Sequence, residues 1–160
     1  MKNALTIIIL TLCLCHAKAQ LFISSSSEIS FFSEAPMENI EATNLNSASM
    51  LNIAAKQLVF QIPIKGFEFD KDLMQEHFNE NYLESDKYPK ASFNGNINED
   101  VDLSKDGTYE VTATGNMLIH GVEQEQTIAG KITVNGNMIT LAGECKVSLA
   151  DHKVKIPKVV

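Results

Sequence analysis

The side chains best able to ligate a metal or attack a substrate are few in this chain. Outside the N-terminal run they are His77, His120, His152 and Cys145. The three histidines are widely spaced, with no H-x-x-x-H or C-x-x-C pair to set two ligands on one face of an element, so no metal site is expected. Cys145 falls on the inward side of an alternating run, where a thiol acts as a small hydrophobe. Asp151 and His152 follow it closely and leave a Cys–His pair open. Nucleophilic work, however, needs a thiolate made by an adjacent base, and nothing in the sequence activates this one. The acids Glu76, Glu80, Glu84 and Asp86 read as a solvated helix-and-loop face, not as paired carboxylates for acid–base work. His120-Gly121 lies at a predicted strand end, where a ring nitrogen can bond backbone in a turn. No glycine-rich phosphate cradle follows a strand. The expected chemistry is therefore non-covalent, without catalytic residues or cofactor.

The elements that would position these residues are mostly strands. Ile139, Leu141, Gly143, Cys145, Val147 and Leu149 alternate with polar or small partners, a period of two that marks a strand with one dry face. Ile128, Gly130, Ile132 and Val134 do the same upstream. Asn135-Gly136 between the two runs predicts a type I′ hairpin. Val111 to Ile119 and Ala91 to Ile97 give two more strands, with Asp106-Gly107 marking the turn between them. Leu58, Phe60, Ile62 and Ile64 alternate as well, but Pro63 lacks an amide hydrogen, so this strand is expected at an edge or irregular there. Weaker strands fall around 21–24, 28–33, 40–44 and 48–53. One stretch departs from this rhythm. Met74, Phe78 and Tyr82, four apart, predict a short helix over about 71–79, with Asp72 and Gln75 as a capping-box pair. Pro89 then holds Tyr88 extended.

Antiparallel strands with one polar face, in a chain of 160 residues, predict a single all-β domain, a barrel or a sandwich. Inward-facing Ala91, Gly95, Ala113, Gly115, Gly130 and Gly143 have two readings: bend points that let the sheet curl, or room left for an apolar ligand. All 13 basic residues are Lys, against 20 acids, a balance opposite to that of a nucleic-acid binder. The first nineteen residues read as an address. Lys2 is followed by an apolar run from Ala4 to Cys15 and then Ala17-Lys18-Ala19, which predicts a secretory signal peptide over 1–19. The run is too short to span a ~30 Å hydrocarbon core. Its removal takes Lys2 and Lys18 but no acid, which moves the formal charge from −7 to −9. Cys145 is then the only cysteine left, so no internal disulfide is expected in the exported, periplasmic or extracellular product.

From about Ser27 onward the chain resembles the YceI-like proteins. The resemblance rests on Ile29-Ser30-Phe31-Phe32-Ser33, Glu38-Asn39-Ile40-Glu41-Ala42, Gly66-Phe67-Glu68-Phe69, Met74 and His77-Phe78-Asn79-Glu80-Asn81-Tyr82. It is carried most specifically by Lys87-Tyr88-Pro89-Lys90-Ala91-Ser92-Phe93-Asn94-Gly95 and Gly115-Asn116-Met117-Leu118-Ile119-His120-Gly121-Val122, in this order and spacing. The resemblance implies an antiparallel lipocalin-like β-barrel over residues 20–160. It also implies an interior that holds a long isoprenoid or similar amphiphilic lipid, without catalysis.

A long neutral tail offers no charge to grip, so affinity must come from buried apolar area, at about 25 cal/mol per Å². The residues expected to line the tail are Phe31, Phe60, Ile62, Phe93, Met117, Ile119 and Leu141. Phe67, Phe69, Met74 and Phe78 are expected to form a lid or end wall. Each has the alternative of plain core packing. The corresponding alternative for the whole protein is an envelope adaptor or stress-related binding module with a filled core and no lipid. Lys153-Val154-Lys155-Ile156-Pro157 resembles the family's late strand, which relatives follow with one more. A barrel lacking that last closing strand would have an open seam, and its free edge predicts poorer solubility or a homodimer.

Overall fold

The computed structural model describes residues 21–34 and 39–155. The signal-peptide reading of 1–19, Glu38 and the Ile156-Pro157 pair lie outside them. Ten strands fall in two sheets. The larger sheet contains β1 (Leu21–Ile23), β4 (Ala48–Asn52), β5 (Gln57–Pro63), β7 (Lys90–Ile97), β8 (Gly107–Ile119), β9 (Val122–Asn135) and β10 (Met138–Glu144). They are hydrogen-bonded in that order, every pair antiparallel, and the sheet curls strongly into a half-barrel, an open form of the lipocalin-like barrel. The smaller sheet contains β2 (Ile29–Ser33), β3 (Ile40–Asn44) and β6 (Phe67–Glu68), in the order β2-β3-β6.

Alternation fixes which residues face inward, because a slip of one residue would turn every side chain over. The register sets Leu51 beside Leu58, and Phe60 beside Phe93 and then Met117. Further along, Ile132 stands between Tyr109 and Leu141. These residues belong to the main core with Ile97, Leu103, Ala113 and Val134, and Phe93 and Ile132 are 2% and 1% exposed. A second core lies at one end of the half-barrel, where Ile64, Leu83, Ala91 and Val154 are buried against Ile62, Phe78, Tyr82, Ile119 and Leu149.

The inward glycines are sites of close approach. A Cβ on Gly115 would stand 2.2 Å from both Asn94 O and Gly95 Cα, and one on Gly130 would stand 2.4 Å from Ala142 O. Gly95 faces Gly115, and Gly130 faces Gly143. The Phe93 ring lies over Gly95, where an added Cβ would stand 2.6 Å from Cζ. Of the two readings of these glycines, the bend reading fits the space at these four.

Several local expectations are corrected. The helix α1 spans Asp72–His77 and passes into a wide π-type turn over Phe78–Tyr82. Its N-cap is Lys71 rather than Asp72, so no capping box forms, and Gln75 Oε1 instead accepts from Phe69 N at 3.4 Å. The β9–β10 turn is Gly136-Asn137, because Asn135 pairs with Met138. Only Gly136 has positive φ (57°), which is the II′ pattern. The I′ pattern occurs instead at His120-Gly121, with φ of 52° and 72°. The strand β5 is interior, between β4 and β7, and the edge expectation holds only locally, at Pro63, which is paired with β7 alone. Pro63 is tolerated because it is the last residue of β5, two places beyond Gln61, where the β4 pairing ends. Nine residues, not a tight turn, join β7 to β8, and Asp106 Oδ1 accepts from Gly136 N at 2.8 Å. Finally, β10 stops at Glu144. Alternation continues to Leu149 in the sequence, but residues 145–148 have no ladder and Val147 is exposed. Residues 149–153 form a turn, and Lys153, Val154 and Lys155, read as the start of a late strand, join no ladder.

Candidate functional site

The residues expected to meet a ligand lie on the strands of the larger sheet, on β2 and β6 of the smaller sheet with Phe69 after them, and on α1 with the turn that follows it. The structure sorts them into three groups. Phe60, Phe93, Met117 and Leu141 belong to the main core, and Ile62, Ile119 and Phe78 to the second core. Phe31, Phe67, Phe69 and Phe78 make an aromatic cluster with ring centroids 5.0–5.9 Å apart. Phe31 and Phe78 are stacked, whereas Phe67 meets both edge-on, the offset geometries that the ring quadrupole favours. Phe78 thus joins the aromatic cluster to the second core. Met74 is half-buried on α1.

The smaller sheet is tied to the larger through Asn44, which is fully buried. Its Nδ2 donates to Pro63 O at 2.7 Å and its Oδ1 accepts from Asn46 N at 2.8 Å. Gly66 permits this, since a Cβ there would stand 2.9 Å from Asn44 Nδ2. The register places Phe67 beside Asn44 and holds the aromatic cluster against β3. Alternation alone could not single out Asn44. The available signal was a buried-phase position carrying an amide just before a turn, where Asn bonds nearby backbone.

A polar cluster covers the second core. His120 has left-handed backbone, with Nε2 2.7 Å from Glu84 Oε2 and Nδ1 3.3 Å from His152 O. Both partners only accept, so the two bonds form together when both ring nitrogens carry hydrogen. The bond from His120, helped by Lys87 and Lys155, holds the Glu84 carboxyl below its ordinary pKa against a smaller opposing effect of desolvation. The Tyr88 ring meets His120 edge-on, with centroids 4.5 Å apart. His152 is buried, and its Nδ1 donates to Val122 O at 3.0 Å. The expected backbone bond from His120 is present, though it runs to a distant segment and not within its own turn. Glu84, read as solvated, is instead half of a bonded pair. Glu76 and Asp86 do sit on an exposed face, with Asp86 2.6 Å from Lys65.

Two clefts of about 350 and 320 Å³ open around this cluster. The first is lined in part by Lys65, Asn79, Ser85 and Lys87, the second by Tyr82, His120, Lys153 and Lys155, and Glu80 and Glu84 border both. Neither touches a residue expected to line a lipid. Cys145 is half-buried, burial pushes its thiol pKa up, and no hydrogen bond joins it to His152 among the described residues. Among those residues no three His, Cys, Asp or Glu side chains converge as metal ligands. No helix there is long and apolar enough to cross a membrane, which says nothing of strands.

Solved structures share the fold. A polyisoprenoid-binding domain from Saccharophagus degradans, implicated in plant cell wall breakdown, is 14% identical with a TM-score of 0.65, covering 86% of this chain and 83% of its own. BcnA of Burkholderia cenocepacia is 14% identical with a TM-score of 0.55, covering 82% and 72%. The YceI protein of Campylobacter jejuni is 17% identical with a TM-score of 0.53, covering 96% and 80%. No curated protein sequence matches. The YceI-like domain model matches residues 22–160, so a curled antiparallel sheet, its aromatic cluster and the Lys87–Gly95 and Gly115–Val122 segments together mark a chain that belongs to the YceI-like domain family.

Proposed function

We propose that this protein is an exported, non-catalytic carrier that binds the apolar tail of an isoprenoid-like or other amphiphilic lipid against the inner face of the half-barrel. The observation that carries the reading is the row of large apolar side chains which register sets along that face, Phe60–Phe93–Met117, continued by Ile62 and Ile119 into the second core. A tail laid on such a face gains by apolar area alone and needs no charged partner. Family membership supports binding as the role, and the Saccharophagus domain supports a polyisoprenoid as the class of ligand. Export rests on the leader-like residues 1–19.

The chain has no Trp and three Tyr, so a polyene fatty acid can be followed by fluorescence against a low background. Saturable binding of cis-parinaric acid, reversed by a C20 isoprenoid alcohol, is expected. A flat titration at every concentration contradicts the carrier reading. A second reading, an envelope binding module with a filled core, is favoured by one observation: Phe93 and Ile132 are already buried by the protein's own side chains. It predicts the flat titration.

A further inference from the structure

After β10 ends at Glu144, residues 145–155 run on to the second core without joining a ladder. Among the described residues, their only backbone-to-backbone hydrogen bonds are internal, Lys153 N to Ala150 O and Val154 N to Leu149 O, both 3.0 Å. The sheet holds this strap through side chains. Gln126 Nε2 donates to Lys146 O at 3.2 Å and Gln124 Nε2 to Asp151 O at 3.0 Å. His152 reaches Val122 O, and His120 reaches His152 O. Gln124 and Gln126 are opposite Met117 and Gly115, inward positions of β9 where an apolar residue would otherwise be expected. The strap's apolar anchors belong to the second core, where Val154 is buried with Ile64, Leu83 and Ala91, and Leu149 packs against them beside Ile62 and Ile119. Val154 is 5% exposed, whereas Lys146, Val147, Ser148, Ala150, Asp151 and Lys153 face solvent. Lys153 is left-handed, as are Glu84 and His120 beside it. Strained backbone gathered at one place marks segments that have a second arrangement available.

We infer that residues 145–155 are a detachable plug, and that the compartment filled by Leu149 and Val154 is a binding site for the end of an apolar chain, which enters by displacing them. This deepens the carrier reading and rests on it for the identity of the occupant. It also accounts for an interior that is well packed in a protein built to receive a tail: at this end the filling is contributed by a segment outside the sheet. A ladder strand would have to break its row of backbone bonds to leave, whereas this segment leaves by giving up four side-chain tethers, the burial of the His152 ring and two apolar anchors.

Amide hydrogen exchange on the full chain tests both parts. In the ligand-free protein, amides of 146–155 are expected to exchange at least about tenfold faster than those of β8, and Q124A/Q126A to raise the strap's rate further while β8 is unchanged. Exchange of the strap only at the rate of β8 overturns the plug, whatever binds. Geranylgeraniol is the probe for displacement. It should speed exchange in 146–155, slow it in β5 and β7, and bind the double variant about threefold tighter than the parent chain. Binding that leaves the strap unchanged, or protects it, overturns displacement and spares the carrier reading. Absence of binding to both proteins overturns displacement and the carrier reading together, while the ligand-free arm still decides whether the strap detaches.

Discussion

At the scale of single residues, the turn of His120 and Gly121 carries the most specific demands. Gly121 has φ of 72°, and a Cβ there would stand 2.5 Å from Tyr88 Cε1. An L-residue at positive φ already costs about 1–2 kcal/mol. G121A is therefore expected to lose about 2–3 kcal/mol in urea unfolding once the Tyr88 ring must also shift, and an unchanged midpoint would contradict the geometry. Glu84 makes a pH prediction. Its pKa is depressed from 4.5, first by the His120 hydrogen bond, so the stability it contributes is present above that value and lost as the pH falls through the depressed one. The difference in Tm between the parent chain and E84Q should be clear at pH 6 and shrink steadily below 4.5. A difference independent of pH over that range would mean that the ionised form of Glu84 adds no stability and would contradict the depressed pKa. Glu84 and His120 were both visible as residues in the sequence, but their pairing was not. They are 36 positions apart, and no periodicity links a post-helical loop to a hairpin turn.

At the scale of elements, the strands were legible because alternation is strong wherever one face is dry, as in β7, β8 and the second half of β9. The first half of β9 was missed, since Gln124 and Gln126 put polar residues at inward positions. The end of β10 was misplaced for the converse reason: Cys145, Val147 and Leu149 keep the alternating pattern after the ladder has stopped. Pattern reports which face a residue would take, whereas a ladder also needs a neighbouring backbone. The opposed glycines of β7 and β8 give an element-scale prediction. A Cβ on Gly115 meets the backbone of β7 rather than a movable side chain. G115A should therefore cost at least about 2 kcal/mol and weaken amide protection along β7 and β8, because overpacking against main chain cannot relax by a change of rotamer. Protection unchanged in both strands would show that the sheet has slack at its bend.

At the scale of the whole molecule, the curled sheet has two outer strands, β1 and β10, each paired on one side only among the described residues. The strand β10 has no Pro and no Lys, the usual guards of a free edge, and Met138 is exposed. We propose self-association through this edge. Sedimentation velocity should show a dimer fraction that rises with concentration and is reduced by T140K, and a monomer at all concentrations would contradict it. Many strands in one domain left a barrel and a sandwich both open, and the resemblance to the YceI-like proteins pointed to the barrel. How far the barrel closes could not be read, because closure depends on the lengths of ladders and alternation does not report them. The proposed role has the inner face of this half-barrel receive a greasy tail. Native mass spectrometry of the protein as purified, followed by solvent extraction, tests it most directly. The expected result is an adduct of several hundred daltons that extraction removes and that returns on incubation with an isoprenoid alcohol. A single peak at the bare mass, before and after that incubation, would contradict it.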